Sequence, residues 1–149
     1  WGRPDMAYFS FTRDILAGHA IKVFNHGRMS RDFTYIDDIV SGLVGALDRP
    51  PPDLADAPPH RVFNIGNHHP EPLLDLIACI EQATGCNAVL QFLPMQDGDV
   101  TATYADVHRL EQLVGFAPTT PLRVGIERFV EWYRGYHALI ASSKPGSVH

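Results

Sequence analysis

An α/β fold is what the sequence predicts, and three patterns carry the reading. Apolar residues recur at helical spacing, short runs rich in β-branched residues lie between them, and glycine or proline marks the changeovers. With 149 residues, the chain is long enough for one domain that buries roughly 68 to 70% of its unfolded surface. Its 45% hydrophobic and 19% charged residues are ordinary for a globular protein.

Pro4 suits the first turn of an opening helix in which Met6, Phe9, Ile15 and Leu16 share a face, and Gly18 ends it. Ile21 to Phe24 reads as a short strand, with Asn25-His26-Gly27 as the turn behind it. Ile36, Ile39, Val40, Leu43, Val44 and Leu47 then define an amphipathic helix running to about Asp48. Asp37 and Asp38 sit in its first turn, where the macrodipole favours negative charge. Arg49 to His60 holds five prolines and must be an irregular loop, because proline neither continues a helix nor donates to a sheet. Arg61 to Gly66 reads as a strand. Leu73, Leu74, Ile77 and Ile80 give a helix that Gly85 stops, and a strand over Ala88 to Leu93 follows. After a loop from Pro94 to Thr103, Asp106 caps a helix over Val107 to Val114 that Gly115 closes. Thr120 and Pro121 open the last helix, which carries Leu122, Ile126, Phe129, Val130, Trp132 and Tyr133. Residues 1–141 are expected to form the folded unit, and 142–149 a flexible tail.

Charge and composition narrow the function. A net charge of -5 argues against nucleic acid, whose phosphates need a basic face. No apolar run approaches the ~18 residues of a membrane span. Trp1-Gly2-Arg3-Pro4-Asp5 lacks the basic start and apolar core of a signal peptide, and it lacks an initiator methionine, so part of a longer or processed product is expected. Cys79 and Cys86 are too few for a disulfide framework, which points to a reducing cytoplasm.

Three segments are candidates for binding. In Arg31 to Val40 a cation and an aromatic precede a helix, and the Arg31 guanidinium offers a planar fork of donors that matches two phosphate oxygens. The competing reading is a solvated ion pair with Asp32. In Pro94 to Val100, Gly98 permits a tight loop that presents Gln96 and Asp99 at a pocket rim; an ordinary turn competes with this. In Trp1 to Met6, Arg3 stands just before a helix N-terminus, a place for an anion, or else it is a plain exposed arginine. His68 and His69 are adjacent and point apart on extended backbone, so a turn from Asn67 to Pro70 suits them better than a shared metal. There is no GxGxxG, phosphate loop, HExxH or nucleophile motif.

Taken in order, these segments resemble a known family. Trp1 to Ala7, Val23-Phe24 with Gly27, Arg31 to Val40, Phe63-Asn64-Ile65-Gly66, Pro94-Met95-Gln96, Gly98-Asp99-Val100 and Tyr104-Ala105-Asp106 look like the carboxyl-terminal half of extended short-chain dehydrogenase/reductases. Among these, the NAD-dependent nucleotide-sugar epimerases of the UDP-glucuronate 4-epimerase group are the closest match. The resemblance covers about residues 1 to 137. It implies a small mixed α/β substrate-binding domain without most of its Rossmann domain.

The resemblance also implies roles for particular residues. Arg31 would bind the pyrophosphate. The strand at Val23-Phe24 would flank the uracil, with Phe24 stacked on it, and Met6 would contact the nucleotide. Arg3 would face the sugar, where a cation suits a hexuronate carboxylate. Asp99 would bind a ribose hydroxyl. Many relatives carry arginine where this chain has Gln96, so a second phosphate contact there would be an uncharged hydrogen bond, a pattern that the glucuronate-type members share.

In that family, a YxxxK tyrosine removes the proton from the sugar 4-hydroxyl while hydride passes to NAD. No tyrosine of this chain is followed by lysine at that spacing, so no catalytic residue is expected here. NAD would be held mainly by a missing N-terminal Rossmann half, and the chain alone would be inactive. UDP-glucuronate decarboxylation, nucleotide-sugar 4,6-dehydration and a non-enzymatic nucleotide-binding module are the alternatives. The resemblance makes Arg61 to Gly66 a strand that pairs with the missing sheet. Its open edge would favour a homodimer of the isolated chain.

Overall fold

The computed structural model describes residues 5–53 and 58–143, so Trp1, Gly2 and Arg3 lie outside the described residues. Among these residues five α-helices, α1 (Ala7–Leu16), α2 (Ile36–Leu47), α3 (Leu73–Thr84), α4 (His108–Val114) and α5 (Leu122–Ser143), are interspersed with four short strands, β1 (Ala20–Val23), β2 (Ser30–Arg31), β3 (Glu71–Pro72) and β4 (Val89–Phe92). The mixed α/β character read from the sequence is therefore the observed one. The two strands of four residues pair in parallel, Ile21 beside Leu90 and Val23 beside Phe92. A second, antiparallel pair sets Ser30 beside Pro72 and Arg31 beside Glu71. Segments so short carried no strand signal in the sequence.

Two apolar cores result. Ile15 of α1, Ile21 and Val23 of β1, Leu76 and Ile80 of α3, and Ile126 and Val130 of α5 close the larger one. The smaller joins Val107, Leu110 and Phe116, with Phe63 and Ile65 packed against them. Helix ends follow local chemistry. Gly85 and Gly115 close α3 and α4 in the left-handed conformation, at φ 68° and 69°. Asp106 accepts the His108 amide at 3.1 Å, so it caps α4 from one position further upstream than expected. Ser142 and Ser143 belong to α5, and the remainder of the expected tail, residues 144–149, lies outside the described residues.

Arg61 to Gly66 has no ladder partner among the described residues, and Phe63 and Ile65 within it pack on the smaller core. The amphipathic helix α2 forms where expected, but its apolar stripe faces outward. Ile36, Val40, Leu43, Val44 and Leu47 are all exposed, Leu47 by 70%. The face turned inward carries Asp38 and Gly42. A Cβ at Gly42 would meet the Phe116 ring at 2.9 Å, so a helix face without bulk is what allows this approach.

Candidate functional site

A cleft of about 750 Å³ opens between α1, β1 and the β2–β3 pair. Met6, Phe24, Arg31 and Asp99, from four separate segments, all line it. Met6 is the N-cap residue of α1, whose first turn therefore faces the cleft. Phe24 is aimed by an unusual turn: Asn25, His26 and Gly27 all adopt positive φ, at 49°, 52° and 79°. Two of these residues carry side chains, an arrangement that costs energy and is held by the Asn25 amide donating to the Arg28 carbonyl at 2.8 Å. The His26 amide donates to the Leu93 carbonyl at 3.1 Å, which ties the turn to the end of β4.

Arg31 is fixed in the same way. The β2–β3 ladder sets its backbone, its Nη1 donates to the Ser30 carbonyl at 2.9 Å, and its Nη2 meets Asp99 Oδ1 at 3.2 Å. The ion pair with Asp32 that the competing reading required is not the one formed: Arg31 pairs with Asp99. Asp32 instead accepts three amides, from Asn67 at 3.0 Å, His68 at 3.1 Å and Ala105 at 2.9 Å. That work makes Asp32 a structural clamp joining three segments, and no local pattern in the sequence could have shown it. Beside it a Cβ on Gly66 would collide with the side chains of Ala105 and Asp32, so this segment depends on glycine.

Other expected residues fall elsewhere. The Val23 side chain is fully buried in the larger core and its carbonyl accepts the Leu93 amide at 2.9 Å, so it supports the cleft from behind without lining it. Gln96 is exposed and does not line the cleft; its carbonyl accepts the Asp99 amide at 3.1 Å and so holds the turn that presents Asp99. Lys22, Met29 and Phe33 line the cleft and were not anticipated. Among the described lining residues Lys22 and Arg31 are the cations, and Asp5, Asp14, Asp32 and Asp99 are the carboxylates. A hydrogen bond from Arg13 holds the Asp14 carboxyl below the ordinary carboxylate range, with the Arg13 charge adding to the effect against partial burial. Among the described residues, no three histidine, cysteine or carboxylate side chains gather into a metal site. No helix of the described residues is long and apolar enough to cross a membrane.

An aromatic face, a guanidinium and a carboxylate arranged along one cleft can receive a base, a phosphate and a hydroxyl in turn. Comparison with known proteins bears on the family. Residues 2–66 match the NAD dependent epimerase/dehydratase family. The chain is 45% identical over 147 residues to UDP-glucuronate 4-epimerase 3 of Arabidopsis thaliana, covering 92% of this chain and 34% of that protein. It is 43% identical to a probable UDP-glucuronate 4-epimerase of Rhizobium meliloti, covering 89% of this chain and 42% of the relative. The solved UDP-glucuronic acid 4-epimerase from Bacillus cereus, in complex with UDP-glucuronic acid and NAD, superposes with a TM-score of 0.77 at 31% identity. That superposition covers 90% of this chain and 41% of the other.

The chain is thus homologous to part of the extended short-chain dehydrogenase/reductases. Its relatives within that class include UDP-glucuronate 4-epimerases, and it spans less than half the length of the curated relatives it matches, 34% to 44%. A glycine-rich dinucleotide-binding turn is not found among the described residues. The positive-φ glycines, at 18, 27, 85, 98 and 115, close helices or turns, and none leads a strand into a helix as a dinucleotide-binding turn does.

Proposed function

We propose that this chain forms the UDP-sugar-binding portion of an NAD-dependent nucleotide-sugar epimerase, which converts UDP-glucuronate to UDP-galacturonate. The observation that carries the reading is the convergence of Phe24, Arg31 and Asp99 on one cleft from three separate segments. Phe24 stacks on the uracil, Arg31 takes the pyrophosphate and Asp99 accepts a ribose hydroxyl. Met6 adds an apolar contact at the start of α1, Val23 backs the base from within the core, and Gln96 sets the turn carrying Asp99. Arg3 outside the described residues is assigned to the hexuronate carboxylate. The identities of 43% and 45% with glucuronate 4-epimerases support this sugar and this reaction.

The chemistry belongs to another part of the protein. NAD and the tyrosine–lysine dyad are assigned to a Rossmann half, and the exposed stripe of α2 offers it a docking face. This chain's own residues bind and orient the nucleotide so that the sugar is held toward that half. Titration calorimetry of the 149-residue chain with UDP tests the binding, and Arg31→Ala is expected to lower UDP affinity by about tenfold or more. Unchanged affinity in that variant overturns the assignment of Arg31. Turnover of UDP-glucuronate by the chain alone overturns the division of labour.

A further inference from the structure

Arg31 does not wait with an empty fork. One arm is committed to the Ser30 carbonyl and the other to Asp99, and both side chains are mostly shielded, 25% and 33% exposed. The segment bearing Asp99 is clipped to the same residue. Ser30 donates its amide to the Thr101 carbonyl at 2.9 Å, and its own carbonyl accepts the Thr103 amide at 3.3 Å. A turn with Gly98 at φ 82° and the Asp99 amide bonded to the Gln96 carbonyl completes the strap. The Asp99 carboxylate is therefore built into place beside Arg31 and does not drift there as a chance surface partner.

We infer that Asp99 is a specificity-determining counter-ion, which holds the Arg31 fork closed to simple anions and yields it only to a diphosphate that also carries a vicinal diol. The inference rests on the reading of Arg31 as the phosphate anchor. A bare pyrophosphate that reaches Arg31 must share it with a carboxylate of its own sign a few ångströms away, or else strip that carboxylate of its partner. Either course spends most of what the guanidinium offers. A ribonucleoside diphosphate meets a different balance. Its phosphate takes the Arg31 arm while its two ribose hydroxyls donate to Asp99, so each charged group exchanges one partner for another.

Calorimetric titration of the 149-residue chain, Asp99→Asn and Arg31→Ala with inorganic pyrophosphate, UDP and 2′-deoxy-UDP tests this. Asp99→Asn is expected to bind pyrophosphate up to about fivefold more tightly than the parent chain while binding UDP more weakly. The preference for UDP over the deoxy form is expected to shrink with it. Asp99→Ser, which removes the charge at smaller volume, should move each ratio the same way, and its far-ultraviolet spectrum checks the fold. If pyrophosphate affinity is unchanged or lower in both Asp99 variants, absence of binding throughout included, the counter-ion role is wrong. If Arg31→Ala binds UDP as the parent does, it is the phosphate assignment that fails, a separate and distinguishable result.

Discussion

The Asp38 carboxylate, in the first turn of α2, accepts the Thr120 amide at 3.0 Å and thereby anchors the segment that leads into α5, 82 residues further along the chain. Its other oxygen accepts the Thr119 amide at 3.2 Å. Burial alone raises the pKa of this carboxyl, but the bonds from Thr119 and Thr120 outweigh it and hold it below the ordinary value. Asp38→Ala strands two amides and is expected to cost about 2 to 3 kcal/mol of stability, measured by urea denaturation at pH 7. Because the native pKa is depressed, this stabilisation is complete above the unfolded value of about 3.9 and is lost as pH falls through the native one. Asp38→Asn is expected to flatten the acid limb of the stability curve, and an acid limb identical to that of the parent would contradict the assignment.

Asp32 holds a junction in the same manner. It gathers amides from Asn67, His68 and Ala105, and His68 sits at φ 55°, a conformation that needs such support. Asp32→Ala is expected to cost about 2 kcal/mol. Hydrogen exchange gives the sharper test: the amides of Asn67, His68 and Ala105 should exchange faster in the variant, while those of Leu76 and Ile80 in the larger core keep their relative protection. A uniform change across all five would mean a loss of global stability and no local clamp.

Phe24 separates the base from the phosphate. Phe24→Leu keeps an apolar group against the larger core but removes the aromatic face, so it isolates stacking from packing. UDP affinity is expected to fall by about 5- to 100-fold, the range of one base–aromatic stack, with pyrophosphate affinity unchanged. Equal losses for both ligands would show that the substitution disturbs the whole cleft.

The elements whose signals are local were legible in the sequence. Gly85 and Gly115 stop α3 and α4 where their backbone freedom requires, and the spacing of Leu73, Ile77 and Ile80 marks the buried face of α3. Arg31 and Asp99 could be singled out as candidate ligands by residue type, and the cleft does bring them together. What escaped the sequence was long-range. The two-residue strands β2 and β3 have no periodicity to read, and the tasks of Asp32 and Asp38 are set by partners 35 to 82 residues away. Val23 illustrates the reverse difficulty: strand alternation identifies two faces, but only the packing of α3 and α5 decides which face is buried.

Helix α2 carries the last prediction, because its sequence pattern is unambiguous and its environment is not the one that such a pattern normally finds. A stripe of Ile36, Val40, Leu43, Val44 and Leu47 left in water is a large apolar surface for one helix. The isolated chain is therefore expected to self-associate with rising concentration in sedimentation velocity, and to bind a hydrophobic dye. Leu43→Glu combined with Leu47→Glu should reduce both effects. Since both side chains are at least half exposed, the same pair should change the urea midpoint little. A large drop in that midpoint would show that the stripe is buried in solution, and association unaffected by the pair would place the contact on another surface.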